Sequence, residues 1–210
     1  MRNTKEKILD TSRFLFNKFG YSQVTIRMIA MELKMSSGNL NYHFKKREAI
    51  LEALYFEMVA VFDERIEQLE NQKISLEMIK SDIKTSMERM VSYQFFWTDL
   101  YNILMQNDKI KTHFQNAYEK RKEGSHFLFN IMINKNLLKK STFKNEYDFL
   151  IERMISFSNT WLYTSSLYQK QAINEEYIDK QAIILLSMLF PYLTGLGKSD
   201  FEKLVLNKDD

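Results

Sequence analysis

The sequence predicts an all-α protein, with a small N-terminal head of three helices carried on a larger all-helical body. Three observations predict it. The 210 residues include only 5 Gly and 1 Pro, too few for the many tight turns of an all-β fold. Hydrophobic residues make up 45% and charged residues 27%, so there is enough apolar material to bury and the chain is not a disordered one. Apolar residues recur at i, i+3, i+4 and i+7 along most of the length, the period of an amphipathic helix.

The first helix is expected over 4–19, with Ile8, Leu9, Ser12, Leu15, Phe16 and Phe19 on one face and Thr4 as its N-cap. Gly20 suits the position after a helix end, where a left-handed backbone costs Gly little. A second helix follows from about Thr25 to Leu33, capped by Thr25 and buried through Ile26, Ile29, Ala30 and Leu33. Lys34-Met35-Ser36 is a tight connection. A third helix, Ser37 to Phe44, turns Leu40 and Phe44 inward. Two short helices joined by three residues form a helix-turn-helix pattern, whose second helix enters the DNA major groove. Ten of the 30 Lys and Arg but four of the 27 Asp and Glu fall in residues 1–50, so this head carries +6 and the remainder −3. A basic head on a mildly acidic body points to nucleic acid for the head alone.

The strings Thr25-Ile26-Arg27-Met28-Ile29-Ala30, Met35-Ser36-Ser37-Gly38-Asn39-Leu40 and Tyr42-His43-Phe44-Lys45-Lys46-Arg47-Glu48 resemble the DNA-binding head of the tetracycline repressor (TetR/AcrR) family. The resemblance covers about residues 4–52. Lys34 stands where that family often has Gly, and Asn41 where it often has Tyr. The resemblance implies double-stranded operator DNA as the partner. Arg27 suits guanine O6 and N7, or a phosphate; Asn39 suits adenine, or capping; Ser37 and Gly38 open the recognition helix, and Gly38 lets backbone approach the bases. Thr25 and Ser36 offer donors at helix N-termini. Tyr42, His43, Lys46 and Arg47, with Lys45 beside them, are expected on phosphates, and the contact of the missing Tyr passes to the Asn41 amide. The domains are expected as 1–47, the DNA-binding head, and 48–210, an effector-binding and dimerisation body.

In the body a long helix is expected from Arg47 to about Gln72, with Ile50, Leu51, Leu54, Phe56, Met58, Val61, Phe62, Ile66 and Leu69 on its apolar face. Further helices are expected over Ser75–Tyr93, 95–107, Lys109–Asn134, Lys144–Gln169 and Asn174–Thr194. Gly195 and Gly197 then read as a stop, with a frayed tail over 198–210. The body holds 23 aromatics and eight Met. These serve either as core filler or as the lining of an apolar small-molecule pocket, for which Tyr93, Phe96, Trp97, Tyr101, Phe127, Met132, Trp161 and Tyr168 are candidates. The late helices are apolar on more than one face, which indicates burial on several sides. By the resemblance they form a homodimer, with Ile151, Ile155, Leu162, Ile184 and Met188 as interface candidates. Two heads about 34–36 Å apart then require a pseudo-palindromic operator.

The chemistry of an enzyme is missing from the pattern. There are no Cys, no Gly-rich phosphate loop and no G-x-S-x-G elbow. His113 and His126 stand thirteen residues apart without a ligand cluster, so no metal and no cofactor is expected. No signal segment and no run of about 20 apolar residues is present, so the expected location is the cytoplasm, away from membrane. The function expected is that of a sequence-specific transcriptional regulator, a repressor released by a small apolar or aromatic effector. The alternatives are a DNA-binding regulator without a ligand, or an all-helical lipid or small-molecule binding protein.

Overall fold

The computed structural model describes residues 3–68 and 74–206, and the side chains of these except 61–68. Its elements are α1 (Thr4–Phe19), α2 (Ile26–Glu32), α3 (Ser37–His43), α4 (Arg47–Gln68), α5 (Leu76–Ser92), α6 (Gln94–Thr98), α7 (Leu100–Gln106), α8 (Asp108–Asn134), α9 (Glu146–Tyr168), α10 (Glu175–Ser187) and α11 (Gly195–Leu206). No strand occurs among the described residues; a single bridge pairs Leu138 with Leu193. The placements expected for Val61, Phe62, Ile66 and Leu69, and the extension to Gln72, lie outside the described side chains and residues.

The chain forms two compact units. One comprises Met1–Glu64 with Ser92–Phe114, the other Arg65–Val91 with Gln115–Asp210.

In the first unit α1 starts one residue earlier than Thr4 suggests. Asn3 is the N-cap: its Oδ1 accepts from Glu6 N at 2.9 Å, and Glu6 Oε2 accepts from Asn3 N at 3.1 Å. This reciprocal pair satisfies two otherwise orphaned donors. Thr4 is instead the first helical residue. Gly20 ends the helix at φ 82°, donating to Phe16 O at 2.8 Å. The face predicted for α1 does bury Ile8, Leu15 and Phe16, and Val24, Ile29, Leu40, Phe44, Ile50 and Leu54 of the same unit are buried too; Phe19, by contrast, is exposed. Phe16 is the hub, meeting Tyr21 and Phe95 edge-on at 5.2 Å each. Truncating such a ring to Ala costs about 3–5 kcal/mol.

Residues 95–107 are not one helix. The backbone breaks at Asp99 (φ −123°, ψ 25°) into α6 and α7. The α6 stretch Phe95-Phe96-Trp97 is buried, and Asn17 ties it to α1. Its Oδ1 accepts from Phe95 N at 3.2 Å and its Nδ2 donates to Ser92 O at 3.0 Å.

The second unit is built around one cluster that includes Ile79, Phe129, Met132, Ile151, Ile155, Leu186, Leu189 and Phe201. Here the glycine reading fails. Gly195 and Gly197 begin α11 rather than ending the preceding helix, which stops at Ser187. A Cβ on Gly197 would fall 2.3 Å from Leu137 O, so its glycine permits close approach of two backbone segments. Thr194 starts the helix, its Oγ1 accepting from Gly197 N at 3.1 Å and donating to Asn136 O at 2.5 Å. The frayed tail expected from 198 is therefore helical to Leu206, and Phe201 anchors it in the cluster.

Candidate nucleic-acid interface

The three helices of the head divide their polar groups between folding and the surface. Thr25 Oγ1 accepts from Met28 N at 3.2 Å and Ser36 Oγ accepts from Asn39 N at 3.1 Å, so each hydroxyl caps its helix. An accepting hydroxyl still has its O–H to donate. Between α2 and α3 the chain reverses through Lys34 at φ 54°. That is the left-handed region, where Gly is the easier residue. Met35 N donates back to Ala30 O at 2.9 Å, closing α2.

The recognition helix α3 buries Leu40 and is followed by buried Phe44. Its other face is open: Gly38, Asn39, Asn41 and Tyr42 are exposed, Tyr42 at 83%, and Ser37 is half-buried. A Cβ on Gly38 would meet only Ser36 Oγ, at an ordinary 3.9 Å. No neighbour among the described residues therefore requires glycine there. Asn39 has its backbone N–H in the cap and its side-chain amide outward. Arg27 on α2 is exposed, as are Lys34, Lys45 and Lys46. His43 is half-buried, its ring edge-on to Tyr42 at 5.4 Å. The surface thus offers amide, phenol and ammonium groups, of which the Asn39 amide suits a base edge and the others suit phosphates.

Arg47 departs from its expected place on a phosphate. Its Nη1 donates to the carbonyls of Tyr21, Ser22 and Val24 at 3.2, 3.2 and 3.0 Å. The guanidinium also lies 4.3 Å from the Tyr21 ring centre. As the first residue of α4 it clamps the turn between α1 and α2. Burial pushes the Tyr21 hydroxyl above the usual tyrosine pKa, and the Arg47 charge opposes that rise.

The pocket candidates do not share one environment. In the first unit Tyr93 and Phe96 are buried and Trp97 is 7% exposed, but Tyr101 is 74% exposed. Tyr93 donates its hydroxyl to Glu57 and accepts from Arg13 Nη1 at 3.0 Å, so it belongs to a polar network. Trp97 Nε1 is buried without a hydrogen-bond acceptor. In the second unit Met132 is core, Phe127 and Tyr168 are exposed, and Trp161 donates Nε1 to Met90 Sδ at 3.3 Å. The exposed Tyr101 and Tyr168 are not enclosed within this chain. Of the interface candidates, Ile151, Ile155 and Leu162 are already buried by their own chain, while Ile184 and Met188 are half-buried. The apolar groups that α9 leaves outward are Phe149, Tyr163, Leu167 and Tyr168; of these the sequence singled out Tyr168 alone, and for the pocket. No group of three or more His, Cys, Asp or Glu able to hold a metal occurs among the described residues. Nor is any described helix long and apolar enough to cross a membrane.

A helix-turn-helix head continued by a multi-helix body defines the class: a bacterial one-chain transcriptional regulator. Residues 8–54 match the family described as bacterial regulatory proteins, tetR family, and residues 57–201 match the description bacterial transcriptional repressor. The chain belongs to the tetR family, whose members are regulators and not enzymes. It is 31% identical over 119 residues to YerO, an uncharacterized HTH-type transcriptional regulator of Bacillus subtilis, over 54% of this chain and 41% of that protein. The matches span about two fifths of the length of the curated relatives. Among solved structures, a TetR-family regulator from Marinobacter aquaeolei superposes with a TM-score of 0.86 at 20% identity, covering 99% of this chain and 98% of that one. SmeT, the repressor of the SmeDEF multidrug efflux pump of Stenotrophomonas maltophilia, superposes at 0.68 and 13% identity over 92% of each. A regulator from Saccharomonospora viridis in complex with choline superposes at 0.66 and 19% identity, over 90% and 97%.

Proposed function

We propose that this protein is a homodimeric repressor that binds a pseudo-palindromic operator and is released from it by a small molecule. The observation that carries the reading is the open face of α3. Gly38 is exposed, as are Asn39, Asn41 and Tyr42 with side-chain groups unspent, while Leu40 of the same helix is fully buried. A helix docked in a groove needs just this division. Arg27, Ser37, Gly38 and Asn39 address bases; Thr25, Ser36, Asn41, Tyr42, His43, Lys45 and Lys46 address phosphates.

The outward apolar residues Tyr163 and Leu167, one turn apart on α9, support a face between two copies. The choline-bound neighbour supports a small-molecule effector. Such an effector acts only through unequal affinity for the DNA-competent and DNA-released states, a coupling of about 1–3 kcal/mol. The setting is the cytoplasm, where the operator lies.

Anisotropy of labelled DNA from the upstream intergenic region tests the reading. Saturable binding by two protomers that survives unrelated competitor is expected. Affinity equal to that for the competitor, both there and for sequences selected from a random pool, overturns it.

A further inference from the structure

Arg121, near the middle of α8, is a cation without a counterion. Its Nη1 donates to Asn159 Oδ1 at 2.7 Å and its Nη2 to Ser158 Oγ at 2.6 Å, both on α9. These acceptors are neutral. No Asp or Glu carboxylate lies within ion-pair distance of it among the described residues. The neighbouring acid on the same helix, Glu119, pairs with Lys122. A sheltered charge held only by neutral groups is destabilising, because the charged form loses more solvation than they return. Accordingly burial lowers the Arg121 pKa, with Tyr118 the only group opposing it.

The guanidinium is nevertheless held in place. Ser158 Oγ donates to Ile155 O at 3.0 Å, and Ser125 Oγ donates to Arg121 O at 2.8 Å. Both partners therefore fix the plane of the fork while leaving some of its five N–H donors uncommitted. Trp161 and Leu162, one turn further along α9, are buried, so the turn that carries the two acceptors leads into the apolar interior.

From this arrangement we infer that Arg121, oriented by Ser158 and Asn159, binds the anionic head of an amphipathic small molecule, a carboxylate on an apolar body. Planar forked donors match a carboxylate, and an oriented fork loses little freedom on binding. The inference rests on the effector reading above and narrows it to a ligand class. The residue carries no signal in the sequence, since one Arg among 30 basic residues is marked only by what it fails to pair with.

The test uses the full-length protein, Arg121→Gln and Arg121→Lys, with octanoate, benzoate, octan-1-ol, octylamine and inorganic phosphate as probes in calorimetric and thermal-shift titrations. Octanoate or benzoate is expected to bind the wild type at least tenfold more tightly than Arg121→Gln. Arg121→Lys is expected between them, and octan-1-ol is expected to treat all three alike. Without ligand, Arg121→Gln is expected to melt no lower than the wild type, because it removes an uncompensated charge. Phosphate binding as tightly as the carboxylates, no carboxylate binding at all, or equal binding by Arg121→Gln would overturn the inference. So would a ligand-free Arg121→Gln that melts far lower or does not fold, since the residue would then be a structural tie to α9. Operator release separates the two readings. Arg121-dependent carboxylate binding that leaves DNA bound keeps the site and removes the effector role. Release by octan-1-ol or octylamine, independent of Arg121, keeps an effector and removes the anion site.

Discussion

Replacing Arg47 with alanine is expected to loosen the head before it weakens any phosphate contact. The side chain makes three donations from Nη1, to Tyr21 O, Ser22 O and Val24 O, and stacks its charge on the Tyr21 ring at 4.3 Å. A hydrogen bond from a charged donor is worth roughly 1.5–3 kcal/mol, and a cation over an aromatic ring about 0.5–2 kcal/mol. The three donations share one nitrogen and Ser22 is exposed, so they count as one strong bond, and water can take over part of it. A loss of about 2 kcal/mol results. For a chain of this size that lowers the melting temperature by roughly 4–8 °C. The assay is thermal and urea denaturation alongside DNA titration at several salt concentrations. Arg47→Lys should recover little, because an ammonium cannot keep the planar fork on the ring and the carbonyls together. A variant with unchanged denaturation, whose DNA affinity loses about one unit of salt slope, would refute the clamp and return Arg47 to the phosphate backbone.

Lys46→Ala is expected to reduce the salt slope of DNA binding by about one unit with little change in sequence preference, whereas Asn39→Ala should relax preference at its base position by about 1–3 kcal/mol; equal losses across all sequences for Asn39→Ala would refute its base contact. Gly197→Ala sets a helix-propensity gain of about 1 kcal/mol against a Cβ lying 2.3 Å from the Leu137 carbonyl oxygen. Backbone cannot yield as a side chain can, so a net loss of about 2 kcal/mol is expected, while Gly195→Ala, with open space around it, should melt at or above the wild type. Burial pushes the Tyr147 hydroxyl up to about 12, and it donates to Lys139 O. The folded state therefore holds this proton more tightly than the unfolded chain, so stability present below pH 10 should fall between pH 10 and about 12, and Tyr147→Phe should abolish that part of the fall in alkaline denaturation. Leu167→Glu should shift the protein to a monomer in light scattering with its fold intact, whereas Leu162→Glu should unfold it.

The head was legible because its signals are local. Thr25 caps the helix it was expected to cap, Ser36 caps the next, and Ile29, Ala30, Leu40 and Phe44 are buried as their spacing requires. Arg47 was misjudged because its partners are carbonyls 23 to 26 residues earlier in the chain, and no side-chain pattern records a backbone acceptor. In the body, element type was readable and role was not. Gly197 looks like a helix stop until the Leu137 backbone is placed beside it. Ile151, Ile155 and Leu162 form a stripe that any interior would accept, and their own chain takes it. Periodicity tells which face is apolar, but not whether the covering surface belongs to the same chain. That distinction needs the exposed residues, Tyr163 and Leu167, which are too few to make a stripe of their own.

Accounting for polar groups locates function better here than accounting for apolar ones. In a folded chain, buried donors and acceptors are almost all paired, so hydrogen-bonding capacity left unspent at a defined place has a reason. The head consumes the Asn3, Thr25 and Ser36 acceptors and the Arg47 fork in holding itself together, and what it leaves over is concentrated on one face of α3. In the body, sheltered Lys80 pairs with Asp179 at 3.0 Å, and nearer the surface His126 pairs with Asp148 at 2.9 Å. Arg153, which is exposed, has neutral acceptors only, as does Arg121; Arg121 is the more sheltered of the two and is held by Asn159 and Ser158. The aromatic richness of the body, by comparison, is divided between core rings such as Phe129 and exposed ones such as Tyr101 and Tyr168, and by itself marks neither a pocket nor an interface. A sheltered charge that the fold meets only with neutral groups is the one that an outside anion would relieve most, and the carboxylate titrations of the wild type and Arg121→Gln measure that difference.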